Sequence, residues 1–277
     1  MNIFKSENNI IIENPEHFSL SDTFDCGQCF RFGKTGADCF EGVAFGRYLK
    51  AFQKDNKIYL EANPEDFDNI WHNFFDIGRD YGKIFEILRK DEILRKASDF
   101  CPGIRILKQE PFECLISFII SANNNIPRIK KTIERLCENF GEKITHENKN
   151  YYTFPAPEKI AGLNLEDLDV LKSGFRAKYI LGAAKKVADG EIDLDSVFKM
   201  TLDGGSEYLQ QIKGVGAKIA ACVLLFAYNK LEAFPIDVWI KRVLEKYYSI
   251  DFDYRNTFGE YAGIAQEYLY YYERKNN

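Results

Sequence analysis

Lys218 is the residue of this 277-residue chain whose setting most suggests chemistry. It follows Gly214-Val215-Gly216, which reads as a tight turn between a helix ending near Ile212 and a new helix that holds the lysine in its first turn. The start of such a helix presents unpaired N–H groups and the positive end of its dipole, and the glycines let a phosphate approach the backbone. Many helix-helix turns need glycine for conformation alone, so the turn by itself carries little weight. From Ile219 to Phe226 the helix is apolar on every face and therefore buried. Dipole and desolvation there both disfavour an ammonium, the condition under which a lysine amine becomes a nucleophile. The commoner fate is a lysine that snorkels outward and meets phosphate as a point charge. Nineteen positions after the lysine, Asp237 in Pro235-Ile236-Asp237 immediately precedes Val238, Ile240, Val243 and Leu244, where it is placed to cap a helix. Cys26 and Cys29 form a C-x-x-C, but no second cysteine pair or neighbouring histidine completes a metal site, which favours packing around a turn.

The elements that must carry these residues fall into two kinds. Residues 40–61 alternate as a half-buried strand pair does, through Val43, Phe45, Tyr48, Ala51, Phe52, Ile58 and Leu60, with Lys54-Asp55-Asn56-Lys57 as the hairpin turn. From Asp66 the apolar period lengthens to three and four, and the rest reads as helices. These cover approximately 110–121, 126–139, 157–162, 165–173, 176–188, 204–211, 217–229, 236–247 and 257–273. The expected class is α+β: an N-terminal antiparallel sheet domain with flanking helices over 1–101, then a helical bundle over 102–277.

Composition bounds the rest. With 45% hydrophobic and 15% aromatic residues the chain is a folded globular protein rather than a disordered one. Its longest apolar run, Ile219 to Tyr228, is about half of the roughly 20 residues that cross a bilayer, so no membrane partner is expected. The N-terminal residues lack the pattern of a signal peptide, and the seven cysteines are odd in number, which together suggest a cytoplasmic address and reduced thiols. A net charge of −5 argues against a polyanionic partner until it is divided along the chain. Residues 1–100 hold 13 basic and 18 acidic residues, so the whole deficit lies there. Val170–Ala188 and Tyr208–Leu231 contain basic residues and no acid, either as solvated helix faces or as places for nucleic acid.

Those residues carry a resemblance. GVGAK, an apolar helix and PIDVW at this spacing are similar to the Gly/Pro-Asp signature of the helix-hairpin-helix DNA glycosylase superfamily. More narrowly the chain resembles the 8-oxoguanine DNA glycosylase/AP lyases over nearly its full length, through CGQCFRF (Cys26–Phe32), FIISANNNIPRI (Phe118–Ile129) and SGFRAKYI (Ser173–Ile180) as well. The resemblance implies an enzyme that flips out 8-oxoguanine, excises it with Lys218 through a Schiff base, and cleaves the strand by β-elimination. Asp237 would stabilise the oxocarbenium-like sugar. Gly27 would accept the extra N–H of the oxidised base through its carbonyl, with Cys222 and Tyr270 on the two faces of the base and Gln266 on its edge. Asn123, Arg128 and Arg176 would hold the cytosine left behind, and Phe175 would be the wedge. Lys213, Gly214, Val215, Gly216 and Trp239 would meet the DNA backbone, and the carbonyls of Gln210, Ile212 and Val215 would offer a place for a cation.

Three positions depart from the residues usual in the animal proteins of the family: Phe175 stands in place of Tyr, Tyr270 in place of Phe, and Trp239 where a His near the phosphate is found. The first two keep a stacking surface. The third puts that phosphate contact in doubt, with Lys213 as an electrostatic substitute. No cysteine follows Cys222, so the iron-sulfur motif of the related adenine and oxidised-pyrimidine glycosylases is missing, and no cofactor is expected. The implied partner is double-stranded DNA with 8-oxoguanine opposite cytosine, bound by a monomer that is nucleoid-associated in a bacterium. The alternatives are a glycosylase of different base specificity and a non-catalytic helix-hairpin-helix DNA-binding module. The module would not need Lys218 and Asp237 together.

Overall fold

Two-residue turns organise the first sixty residues. The computed structural model, which describes residues 1–276, places six strands in one antiparallel sheet of order β1-β2-β6-β5-β4-β3. They are β1 (Asn2–Lys5), β2 (Ile10–Glu13), β3 (Gly33–Gly36), β4 (Cys39–Ala44), β5 (Arg47–Lys54) and β6 (Lys57–Leu60). Phe45-Gly46 joins β4 to β5 and Asp55-Asn56 joins β5 to β6, with all four residues at φ between 51° and 68°. That turn geometry matches the right-handed twist of the strands it connects. The hairpin expected at Lys54–Lys57 is therefore present, but the strand pair expected over 40–61 is three strands of a six-stranded sheet. β3, Gly-Lys-Thr-Gly, is exposed throughout and offers no apolar period to read.

Ile10, Ile12, Leu49, Ala51, Ile58 and Leu60 are fully buried on one face of the sheet. They pack with Phe24, Phe32, Phe67, Trp71, Phe74, Phe75 and Leu107. Tyr48 and Phe52 lie out of step with Leu49 and Ala51, on the other face, where Phe52 stacks on Tyr59 at 4.6 Å and Tyr48 on His146 at 4.2 Å. His146 belongs to a second hairpin, β7 (Lys143–His146) with β8 (Lys149–Tyr152), between the helices expected at 126–139 and 157–162, in a part of the chain where no strand was expected. Both strands are mostly polar, and distant partners hold them: Tyr151 Oη donates to Glu41 at 2.6 Å and Arg31 Nη2 donates to the Tyr152 carbonyl at 2.5 Å.

The helices Pro111–Ser121, Ile126–Phe140, Pro157–Ala161, Ala177–Ala188, Leu202–Leu209, Ala217–Phe226 and Val238–Tyr247 lie within a few residues of expectation. The other two expected helices differ. Residues 165–173 hold only a 3-10 turn, Glu166–Leu171, ended by Lys172 at φ 51°. The expected 257–273 helix is divided at Gly259 into Tyr254–Phe258, a short 3-10 turn and Ala262–Lys275. The helical core also takes in Cys26, Phe30, Tyr81, Ile84, Phe85, Leu88 and Leu94, so residues on both sides of Pro102 share it.

Buried polar side chains tie the 26–32 loop to this core. Gln28 donates to the Arg105 carbonyl at 2.7 Å and accepts from the Leu107 N–H at 2.8 Å, while its own carbonyl accepts from Gln109 Nε2 at 2.8 Å. The Gln109 N–H reaches the Phe226 carbonyl at the end of the Ala217–Phe226 helix, at 2.7 Å. Buried groups bonded on every side hold one geometry, because leaving any of them unpaired costs about 1–3 kcal/mol.

Glu113, buried 3.5 Å from Arg31, gives the fold a pH dependence. Burial pushes its carboxyl up from 4.5 to about 7, against the pull of Arg31. The folded state thus holds a proton that the unfolded chain has released, so the contribution is full below about 4.5 and is lost as pH rises through about 7. Thermal melts from pH 5 to 8.5 are expected to show stability falling with pH by about 1–3 kcal/mol, and Glu113→Gln should flatten that slope. An unchanged slope in the variant would remove Glu113 as its source.

Candidate active site

The Leu202–Leu209 helix runs into the hairpin through successive tight bonds, with the Ile212 N–H donating to the Leu209 carbonyl at 3.1 Å and the Val215 N–H to the Ile212 carbonyl at 3.0 Å. Gly214 is required there: its φ is +99°, and a Cβ would come within 2.6 Å of the Tyr179 ring. Val215 is buried beneath the turn, whereas Lys213 and Gly216 are exposed, and a Cβ on Gly216 would meet only open space. Gly216 is the N-cap of Ala217–Phe226, so the free N–H groups of that helix face outward beside an unobstructed glycine. Of the three carbonyls considered for a cation, that of Ile212 already accepts one hydrogen bond and keeps a second lone pair.

Lys218 turns inward from the first turn of this helix, its Nζ 5.4 Å from the centre of the Phe118 ring. Phe118 stacks on Phe226 at 5.4 Å, which gives the amine an apolar wall. Asp237 begins the Val238–Tyr247 helix, and its Oδ1 accepts from the N–H groups of both Trp239 and Ile240 at 2.9 Å. Both cap bonds use one oxygen, so the carboxylate is fixed in orientation while Oδ2 takes no part in the cap.

Lys218 and Asp237 line one cavity of about 160 Å³, with Gly27, Cys222, Trp239, Gln266 and Tyr270. Gly27 enters from the 26–32 loop at φ +100°, and a Cβ there would lie 3.0 Å from Arg274 Nη1 and 3.4 Å from Tyr270. Cys222 is one helical turn below the lysine. Burial pushes its thiol up to about 11, although the positive charge of Lys218 pulls the other way. Tyr270 is held by Arg274, whose Nη1 reaches the phenol oxygen at 3.2 Å and whose Nη2 donates to the Asp25 carbonyl. Arg242 lies over the ring of cavity-lining Trp239 at 4.7 Å, which puts a cation against the residue that stands in place of the expected histidine.

Sequence reasoning missed Glu267, which lines the same cavity and is only 3% exposed. Burial pushes its carboxyl up to about 7, opposed by the Cys26 thiol and by Arg274, reinforced by Asp237 and opposed again by Lys218. One signal was available: Glu267 is the single charge in the otherwise uncharged run from Ala262 to Tyr272.

Asn123, Arg128, Phe175 and Arg176 form a second group. Asn123 sits at φ 48° in the turn between Pro111–Ser121 and Ile126–Phe140, and Asn125 caps the second helix through the Arg128 N–H at 3.0 Å. Arg176 is buried, and its guanidinium donates to the carbonyls of Ala122 (2.6 Å), Asn123 (2.7 Å) and Ser173 (3.2 Å). Burial and the neighbouring Arg128 charge both disfavour its charged form. Phe175 is 55% exposed beneath the Arg176 guanidinium, which lies 4.5 Å from its ring. Arg128 is exposed, and among the described residues its guanidinium makes no hydrogen bond to the chain.

The chain matches known families across most of its length. Residues 10–115 fit the 8-oxoguanine DNA glycosylase N-terminal domain, and residues 116–260 fit the HhH-GPD superfamily of base excision DNA repair proteins. It is 33% identical to a probable N-glycosylase/DNA lyase of Methanothermobacter thermautotrophicus, over 73% of each chain. With the N-glycosylase/DNA lyase OGG1 of Arabidopsis thaliana it shares 28% identity, over 91% of this chain and 76% of the relative. The structure of Clostridium acetobutylicum 8-oxoguanine glycosylase/lyase in complex with double-stranded DNA containing cytosine opposite 8-oxoguanine superposes with a TM-score of 0.95 and 38% identity, covering 100% of this chain and 99% of that one. A lysine and a capping aspartate meeting in one cavity behind a glycine hairpin, and family matches that together run from residue 10 to residue 260, place this chain in the helix-hairpin-helix superfamily of base excision DNA repair proteins, among the 8-oxoguanine glycosylase/lyases.

Proposed function

We propose that the protein excises 8-oxoguanine from double-stranded DNA, with preference for lesions opposite cytosine, and then cleaves the strand at the abasic site. The observation that carries this reading is the meeting of Lys218 and Asp237 in a cavity also lined by Gly27, Cys222, Gln266 and Tyr270. The neutral Lys218 amine attacks C1′ of the flipped nucleotide as the C1′–N9 bond breaks; the base leaves with that electron pair and takes up a proton equivalent to the one the lysine nitrogen sheds. Positive charge on the sugar peaks in this step, and the oriented carboxylate of Asp237 stabilises it without reorganisation. Ring opening gives the Schiff base, a proton passes from C2′ to water, and the electrons of that C–H bond expel the C3′ oxygen, so that the downstream strand leaves with the phosphate at its 5′ end. Protein groups suffice for each step, with no cofactor. The hairpin carbonyls of Gln210, Ile212 and Val215 would serve any cation only by steadying the backbone against DNA.

The two arginines divide the reading of the opposite base. Arg176 spends its donors on the carbonyls of the Ala122–Asn123 turn and so positions Asn123, whereas Arg128 has donors to offer a cytosine edge. Single-turnover excision on duplexes that differ only in the base opposite 8-oxoguanine tests the proposal, with cytosine expected to be fastest. Arg128→Ala should reduce the cytosine preference by about tenfold and leave the melting temperature nearly unchanged. Arg176→Ala should lower stability by about 1–3 kcal/mol as well, because it strips buried carbonyls of their donor. Equal rates against all four bases in the wild type would reject the pairing preference, and no release of 8-oxoguanine from any duplex would reject the function.

A further inference from the structure

Two adjacent residues of the Ala262–Lys275 helix that line the cavity each carry a buried oxygen without a hydrogen-bond partner in the chain, Gln266 Oε1 and Glu267 Oε1, while the Glu267 carboxyl also meets the Cys26 thiol. Leaving a buried polar atom unpaired is costly, so two on neighbouring residues of a cavity wall are best explained by a ligand that satisfies both. They are not equivalent. The Gln266 oxygen can only accept, whereas a carboxyl that keeps its proton can also donate.

Several charged and titratable groups surround Glu267. The Cys26 thiol faces it from the 26–32 loop and Cys101 from the end of the Glu92–Phe100 helix. Lys218 and Cys222 face it from the lysine helix, Asp237 from the next helix, and Tyr270 and Arg274 from its own. Burial outweighs the attraction of the two cations and keeps the carboxyl neutral up to about pH 7.

We propose that Glu267 determines base specificity by donating its carboxyl O–H to a carbonyl oxygen of the extruded base while Gln266 accepts from the N–H beside that carbonyl. The ligand class is a base with a lactam edge, in which N–H and C=O are neighbours. Guanine-type rings present that edge at N1 and C6. Adenine-type rings present an unprotonated ring nitrogen and an amino group, and so leave the Glu267 donor without a carbonyl and face the Gln266 acceptor with a lone pair. A site built to hydrogen-bond one edge rejects the other because its buried groups are then unpaired. This inference rests on reading the cavity as the base pocket and extends it to the six-membered ring, away from the oxidised position.

The test compares single-turnover excision of 8-oxoguanine and 8-oxoadenine, which share the oxidised C8 and differ in the edge in question, in the same duplex context. At pH 6 the wild type should favour 8-oxoguanine, and Glu267→Leu should reduce that ratio at least tenfold. Glu267→Gln keeps a donor that does not titrate, so its ratio should stay near that of the wild type at pH 6 and remain constant to pH 8, below the ionisation of the lactam N–H of the base itself. The wild-type ratio should fall over the same range as the carboxyl ionises and turns from donor to acceptor. Taking a ratio on one enzyme cancels effects common to both bases, including modest losses of folded protein, and melting curves identify a variant that does not fold. A wild-type ratio retained by Glu267→Leu, or a pH decline in Glu267→Gln that matches the wild type, overturns the assignment. A wild type that excises neither base overturns the reading of the cavity itself, and this inference with it.

Discussion

Lys218→Gln is expected to abolish covalent capture. When the wild type is mixed with an 8-oxoguanine duplex and borohydride, reduction of the proposed Schiff base should leave a stable protein-DNA adduct, visible as a band of raised mass on a denaturing gel. The variant should give none, and its excision and strand cleavage should fall by on the order of 10³-fold or more, the scale of losing a nucleophile. Glutamine keeps most of the side chain's length, so the cavity and the Phe118 wall should persist. Duplex affinity should change far less than turnover, because one cation among several is removed. An adduct of undiminished yield in Lys218→Gln would move the nucleophile elsewhere.

Asp237→Asn should separate two duties of one side chain. The native Oδ1 accepts two backbone N–H bonds at the start of Val238–Tyr247, and asparagine caps helices about as well as aspartate. Stability should therefore hold, while single-turnover excision slows by about 10²- to 10³-fold for want of a negative charge beside the developing cation. Asp237→Ala loses the cap as well and should cost a further ~1 kcal/mol of stability. If Asp237→Asn keeps its rate but loses duplex affinity, the residue serves binding and the catalytic role is wrong.

Much of this site was legible because its signals are local. The glycine hairpin, the lysine in the first turn of an apolar helix and the aspartate before the next helix depend on backbone conformation and capping, which a few neighbouring residues dictate. The turn Asp55-Asn56 is local in the same way: two residues that tolerate positive φ between alternating strands. The β7–β8 hairpin was not legible, since its strands are mostly polar and are held by Arg31 and Glu41, more than a hundred positions away in sequence. The division of the 257–273 helix at Gly259 was missed because the apolar period continues across the break.

By itself the sequence determined which groups are available for chemistry and the family pattern they follow: an amine after a glycine turn, a carboxylate nineteen positions on, and two arginines with an asparagine. Tertiary structure alone decided how those groups are used. Arg176, in sequence an arginine like Arg128, has its donors taken by carbonyls of a turn some fifty residues earlier. Glu267, in sequence an ordinary helical glutamate, is enclosed by elements drawn from residues 26 to 274, and it is their exclusion of water that keeps its proton near neutral pH. Dielectric environment and hydrogen-bond partners belong to a place in space, which no short stretch of residues specifies.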